Sequence, residues 1–154
     1  MENIIENNKI IVEFMGLKPK MESPDIYVFN DMPYFSVREN NSEDVMNAIV
    51  KYSKYNSDWN WLMKVVEKIN TIDEDRFTVQ IFSMDTYIYD SKYRNFIIKT
   101  ELTYNPDELI KSVYNTCVKF IKWYNSHLCS NCGRFDDVVG THNIDTCEEC
   151  ALNN

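Results

Sequence analysis

Four cysteines in two Cys-x-x-Cys pairs, Cys129-Ser130-Asn131-Cys132 and Cys147-Glu148-Glu149-Cys150, stand fourteen residues apart and constrain this chain more than any other feature. Each pair can point both thiolates at one ion, and Gly133 directly after the first permits the left-handed backbone that such a knuckle needs. The spacing between pairs is slightly shorter than the usual zinc-ribbon range. Four thiolates saturate a tetrahedral ion. The expected site is therefore closed and structural: one Zn2+ per chain on Cys129, Cys132, Cys147 and Cys150, with no position left for an activating water. Between the pairs only Phe135, Val138, Val139 and Ile144 are sizeable apolar residues. So few cannot hold a fold alone, whereas zinc in comparable peptides contributes an apparent ~10–16 kcal/mol. Redox-active or incidental thiol pairs are the competing reading.

His127 and His142 flank this module, but with four cysteines present neither is needed as a ligand. The chain lacks the His-x-Glu and Pro-Cys-x-x-Cys motifs of a zinc deaminase. His142-Asn143 between the pairs resembles the motif of nucleases framed by cysteine pairs, yet Thr141 stands where an acid belongs and no second histidine follows. A zinc-framed nuclease is accordingly the weakest of the readings. Cys117 falls mid-helix on an apolar stripe and reads as a small core residue.

The fifth cysteine matters for compartment. The N-terminus opens with Glu2 and Glu6, carries no basic n-region and breaks its apolar run with Asn7, Asn8, Lys9 and Glu13, so no signal peptide is read. No stretch is long enough to span a bilayer. A reducing, cytoplasmic setting follows, in which paired cysteines hold metal more often than disulfides.

Ahead of the module, 154 residues with 44% apolar and 14% aromatic content suffice to bury a core. Ile4, Ile11, Phe14 and Met15 recur at helical spacing with Gly16 as a C-terminal cap. Residues 17–41 hold three of the four prolines around a short Ile-Tyr-Val-Phe run and read as loop with one edge strand. Ser42 and Ser57-Asp58 start two helical stripes, Val45-Ile49-Tyr52 and Trp59-Leu62-Val65-Val66-Ile69, as two helices or one broken at 53–57. The period then falls to two over Phe77–Ile81, Tyr87–Tyr89 and Phe96–Leu102, an antiparallel meander. Asn105-Pro106-Asp107-Glu108 opens a helix to about residue 125, with Leu109, Val113, Cys117, Phe120 and Tyr124 on one face and Lys111, Lys119 and Lys122 on the other. The expectation is an α+β body, residues 1–126, of helices on a small antiparallel sheet, followed by a zinc knuckle or ribbon module, residues 127–154.

Charge limits the partners. Residues 127–154 hold one cation, Arg134, against Asp136, Asp137, Asp145, Glu148 and Glu149, half of the chain's net -8. Nonspecific phosphate binding is driven by clustered Lys and Arg, so the balance disfavours nucleic acid. The aromatic run Tyr52, Tyr55, Trp59, Trp61 is a core cluster, a base-stacking platform or a protein hot spot. Trp59 and Trp61 lie about 200° apart on a helix and cannot both face inward.

The segments EFMG, SDWNWLMKVVEKI and VYNTCVKFIKWYN, with a strand hairpin between the last two, resemble a group of small uncharacterised proteins of Bacteroidetes genomes and their phages. The resemblance spans about residues 3–125 and implies a phage or prophage context inside a bacterial host; it assigns no site. Those relatives commonly end near the Trp-Tyr-Asn, so the cysteine module sets this chain apart. With no Ser-His-Asp set, phosphate loop or paired carboxylates in view, the leading expectation is a non-enzymatic protein that binds a host or phage protein, with a zinc-ribbon nucleic-acid binder as the alternative. In the module, Phe135 and Val138 are candidate anchors and Asp136 and Asp137 candidate selectors of a basic rim, or Phe135 packs on the long helix and closes the domain; Trp59 and Trp61 are the candidates in the body.

Overall fold

The computed structural model describes residues 3–23, 26–29, 36–38, 42–100, 105, 108–137, 139 and 145–152. Five helices, α1 (Ile4–Met15), α2 (Ser42–Tyr52), α3 (Trp59–Thr71), α4 (Leu109–Ser126) and α5 (Glu148–Leu152), alternate with two three-stranded sheets. The first sheet is β1 (Lys20–Ser23), β2 (Ile26–Val28) and β3 (Ser36–Arg38); the second is β4 (Phe77–Ile81), β5 (Thr86–Asp90) and β6 (Asn95–Lys99). Both are antiparallel meanders, and the architecture is α+β. The first sheet corrects the reading of residues 17–41 as loop with a single strand. Its strands have three or four residues, too short to display an alternation, and two of the three prolines, Pro24 and Pro33, lie outside the described residues.

Helix α1 ends where Gly16 takes φ +64° and donates its N–H to Glu13 O. Its buried face is Asn7, Asn8, Ile11 and Val12, while Ile4, counted in the expected stripe, is 48% exposed. Asn8 is bonded at both its amide nitrogen and its oxygen, whereas Asn7 is bonded at its oxygen and its Nδ2 is buried without a partner among the described residues. Asn8 Nδ2 donates to Val50 O at 3.3 Å, Tyr114 Oη donates to Asn8 Oδ1 at 3.1 Å, and Lys122 Nζ donates to Asn7 Oδ1 at 3.2 Å. Polar residues thus tie α1 to α2 and α4, offsetting the cost of burial. Asp58 caps α3 by accepting from Asn60 N–H at 2.9 Å. Trp61 is 5% exposed, edge-on to buried Tyr55, whereas Trp59 is 40% exposed, as the 200° separation requires. Helix α4 begins at Leu109 and is preceded by a turn in which Glu108 N–H donates to Asn105 O at 2.9 Å, in keeping with the expected start; Pro106 and Asp107 lie outside the described residues.

Helices α3 and α4 cover the inner face of the second sheet, where Phe77, Val79 and Ile88 are buried. Phe77 is the centre of an aromatic cluster, edge-on to Phe120 at 5.0 Å, Trp123 at 5.9 Å and Tyr124 at 6.1 Å. The register places two rows on the outer face, Thr78–Tyr89–Phe96 and Gln80–Tyr87–Lys99, with a bulge at Ile88/Tyr89 opposite β6. Between α3 and β4 three consecutive non-glycine residues, Asp73, Glu74 and Asp75, adopt φ of 50°, 57° and 61°. Left-handed backbone costs about 1–2 kcal/mol per residue. This turn delivers Arg76, the residue on which the cysteine module is anchored.

Candidate metal centre

The sulfurs of Cys129, Cys132, Cys147 and Cys150 all lie within 4.8 Å of one another, and Cys132 Sγ is 3.7 Å from Cys147 Sγ. A tetrahedral zinc–thiolate site, with metal–sulfur bonds near 2.3 Å, has sulfur–sulfur edges of about 3.8 Å. The cluster therefore matches a four-coordinate ion after a contraction of no more than about 1 Å. All four cysteines are free thiols, so no disulfide competes for them.

Local backbone explains the convergence. Leu128 and Phe135 bridge as an antiparallel pair, Cys129 N–H donates to Arg134 O, and Gly133, at φ +69°, donates its N–H to Cys129 O at 2.8 Å. The first pair thus sits on a closed hairpin knuckle. The second pair straddles the start of α5, where Ala151 N–H donates to Cys147 O. The two halves are joined by Ser130 N–H to Asp145 O at 2.7 Å and by Cys147 N–H to Cys129 Sγ at 3.3 Å.

Hydrogen bonds to the sulfurs prepare thiolates. The Cys147 N–H holds the Cys129 thiol down at about 6, and the Arg134 side chain lowers Cys132. Cys150 is pushed up to about 12 by its hydrogen bonds to Cys147 and Cys132, so it carries the proton that a metal ion would displace. Arg134 Nε lies 3.5 Å from Cys132 Sγ while its Nη2 pairs with Glu149, a cation set beside the cysteine cluster where it would offset thiolate charge. His127 stands apart: its Nδ1 is 2.8 Å from Trp123 O, and its ring lies against Trp123. His142, Asn143 and Val138 lie outside the described residues.

The loop between the pairs is committed to the body. Phe135 stacks on Tyr124, touches Trp123 and His127, and stands edge-on to Phe77 at 5.7 Å. Asp137 accepts from Arg76 Nη2 at 2.7 Å, from Tyr93 Oη at 2.8 Å and from Lys92. Arg76 also forms a two-point pair with Asp90, Nε–Oδ1 at 3.1 Å and Nη2–Oδ2 at 2.6 Å, and its guanidinium lies about 5 Å from the rings of Phe77, Tyr93 and Phe135. Phe135 thus packs on the long helix, one of the two roles open to it, and Asp137 is bonded within the chain. Asp136 is half-buried and lines, with Asp73, Glu74, Arg76, Ser91, Lys92, Phe135 and Asp137, a cleft of about 480 Å³. Sequence reasoning missed the Arg76 hub, whose members lie 14 and 61 positions apart and share no local pattern.

Burial alone would raise the Asp137 carboxyl; the hydrogen bonds from Arg76, Lys92 and Tyr93 overcome it and bring it down to about 2. Asp90 is lowered in the same way, burial being outweighed by Arg76 and by the N–H groups of Tyr93 and Lys92. Cys117 is fully enclosed in α4 and its thiol is pushed up to about 12 by burial, an inert core group as expected.

Fold and site together define an α+β protein carrying a four-cysteine cluster fit to hold a metal ion. Comparison with protein-family models, curated proteins and solved structures returns no match. No helix among the described residues is long and apolar enough to cross a membrane.

Proposed function

We propose that the chain is a non-catalytic binding protein of phage or prophage type, acting in the host cytoplasm on a host or phage protein, with one structural zinc ion held by Cys129, Cys132, Cys147 and Cys150. The observation that carries this reading is the closure of the cluster. With four sulfurs within 4.8 Å of one another, a tetrahedral ion has all its positions filled by protein. All-thiolate tetrahedral sites select zinc or iron–sulfur chemistry, and a single ion between two Cys-x-x-Cys pairs is the zinc case. The cleft beside Arg76 supports a non-catalytic role, because Asp137 in its wall is bonded to both Arg76 and Lys92 rather than set as a base beside a nucleophile.

Trp59 supplies the docking surface. It is 40% exposed and Met63, one turn further along α3, is 43% exposed. Trp and Met are enriched at interface cores, and a buried Trp anchor typically dominates binding energy. The test is a pull-down from host lysate with tagged full-length chain, followed by Trp59→Ala. A specific protein partner whose affinity falls at least about 30-fold in the variant supports the reading, that being the ~2 kcal/mol threshold of a hot spot. Recovery of nucleic acid with no protein would replace it by the nucleic-acid alternative.

A further inference from the structure

The outer face of the second sheet is an aromatic platform that the metal module and the Trp59 surface leave unused. Its two cross-strand rows carry Tyr89 beside Phe96 and Tyr87 beside Lys99, and Phe82 closes the second row. The rings are in continuous contact: Phe82–Tyr87 at 5.8 Å, Tyr87–Phe96 at 5.0 Å and Tyr89–Phe96 at 5.5 Å. Cross-strand ring pairs stabilise a sheet by themselves. Yet Phe82 and Phe96 are 52% and 54% exposed, so half of each ring's surface remains for something else.

Charge and size select the occupant. In a chain with 24 acids and 16 cations, residues 91–100 carry Lys92, Arg94 and Lys99 and no acid. Lys99 Nζ lies 5.3 Å from the Tyr87 ring centroid, and exposed Arg94 marks the opposite end of β6, at the β5–β6 turn. Lys92 is partly neutralised by Asp137. Among the described residues Asp85 borders the face, accepting from Tyr87 Oη at 2.6 Å, so an anion is steered away from the β4–β5 turn. Three strands about 4.8 Å apart and five residues long cover roughly 250 Å². A standard interface takes about 800 Å² from each partner, so a second copy of the chain is poorly served. The two aromatic rows are about 7 Å apart along the strands, a distance that one extended nucleotide repeat bridges.

We propose that this face binds single-stranded nucleic acid, stacking unpaired bases on Tyr89, Phe96 and Tyr87 while Lys99 and Arg94 hold the phosphates. Polar Thr78 and Gln80 complete the rows as neutral hydrogen-bonding groups. Duplex DNA keeps its bases stacked internally and offers this face only phosphates, for which the net charge of -8 is unfavourable. The inference goes beyond the protein-binding reading and rests on a different surface, so either can fail alone.

The experiment is fluorescence anisotropy of labelled dT12, rU12 and a 12-base-pair duplex titrated with the full, metal-replete chain at two salt concentrations. The expected result is saturable binding of the single strands, weakened by salt, with the duplex at least tenfold weaker. Phe96→Leu keeps apolar bulk but removes the π face and is expected to weaken dT12 binding between about five- and a hundredfold, the range for one lost base stack. Phe96→Tyr is expected to restore it, and Lys99→Glu to weaken binding without altering the far-UV circular dichroism. Single strands that fail to bind at low salt, or binding indifferent to both Phe96→Leu and Lys99→Glu, would overturn the proposal. So would a dimer in sedimentation that the same two variants dissolve, which would assign the face to a second copy.

Discussion

Phe135 and Tyr124 lie with their ring centroids 4.8 Å apart and their planes 9° from parallel. One ring belongs to the hairpin that carries the first cysteine pair and the other to the long helix of the body. The metal module is thus joined to the body through an aromatic cluster, and the hairpin bridge Leu128–Phe135 makes that joint depend on the knuckle's geometry.

Replacing Phe135 by Ala should therefore loosen the module from the body. Loss of a half-buried ring and its stack is expected to cost about 1–3 kcal/mol, read as a lowered Tm together with a changed near-UV circular dichroism signal from Trp123, whose ring lies 5.5 Å away. An unchanged Tm would show that the stack contributes nothing.

Of the carboxylates paired with Arg76, Asp90 and Asp137 should differ in worth. Asp90 is 1% exposed and binds the guanidinium at two points, so Asp90→Ala removes two charged hydrogen bonds, leaves Arg76 only its Asp137 and Asp73 pairings among the described residues, and is expected to destabilise by about 3 kcal/mol. Asp137→Ala leaves Arg76 paired with Asp90 and is expected to cost about 1–2 kcal/mol. Chemical denaturation of both variants checks the order, and a larger loss at Asp137 would contradict it.

Acid should erase the contribution of Asp137. Its carboxyl is held down at about 2 in the folded chain, against ~3.9 for an unfolded aspartate. A depressed folded value means stabilisation that is complete above the unfolded value and is lost as the pH falls towards the folded one. The stability gap between the native chain and Asp137→Asn is expected to be constant above about pH 5 and to close between about pH 4 and pH 2. A gap independent of pH across that window would show that the carboxylate's charge is not what holds the loop.

Metal content is the fourth test. Elemental analysis of the purified chain is expected to give about one zinc per molecule, and Cys132→Ser to abolish it. Because Phe135 lies three residues beyond Cys132, this variant should also reproduce the Trp123 signal of Phe135→Ala, while helices α1 to α4 keep their far-UV signature on their own core. An ordered module in a metal-free protein would sink the zinc reading.

The four-cysteine cluster was legible because its members obey a local spacing rule: a Cys-x-x-Cys turn converges whatever surrounds it. The helices and the second sheet were legible from their periods, Leu62-Val65-Val66-Ile69 at 3.6 and Phe77-Val79-Ile81 at 2. Other features had no local signal. Asn7 and Asn8 looked like breaks in an apolar run, yet they are the buried contacts of α1, because their partners Val50, Tyr114 and Lys122 come from distant segments. Arg76, Asp90 and Asp137 likewise form one network only through the fold. The outer face of β5 and β6 escaped notice for a different reason. Tyr87, Tyr89 and Phe96 were counted as strand formers, and only the pairing register shows that they share one side.

The clamp between Asp137 and Arg76 joins residues 61 positions apart, and Arg76, Lys92 and Tyr93, the side chains that donate to Asp137, all precede it in the chain. During synthesis the body's helices and both meanders, built from neighbouring segments, can form while the loop is still being made. Until it arrives, Arg76 is paired with Asp90 and Asp73 but lacks its Asp137 bond, and the Tyr124 face lies open. A nascent chain interrupted before Phe135 would display an uncovered aromatic cluster, the kind of surface that proteases and chaperones engage. Arrival of the cysteine knuckle would then lay the Phe135 ring over that cluster and close it.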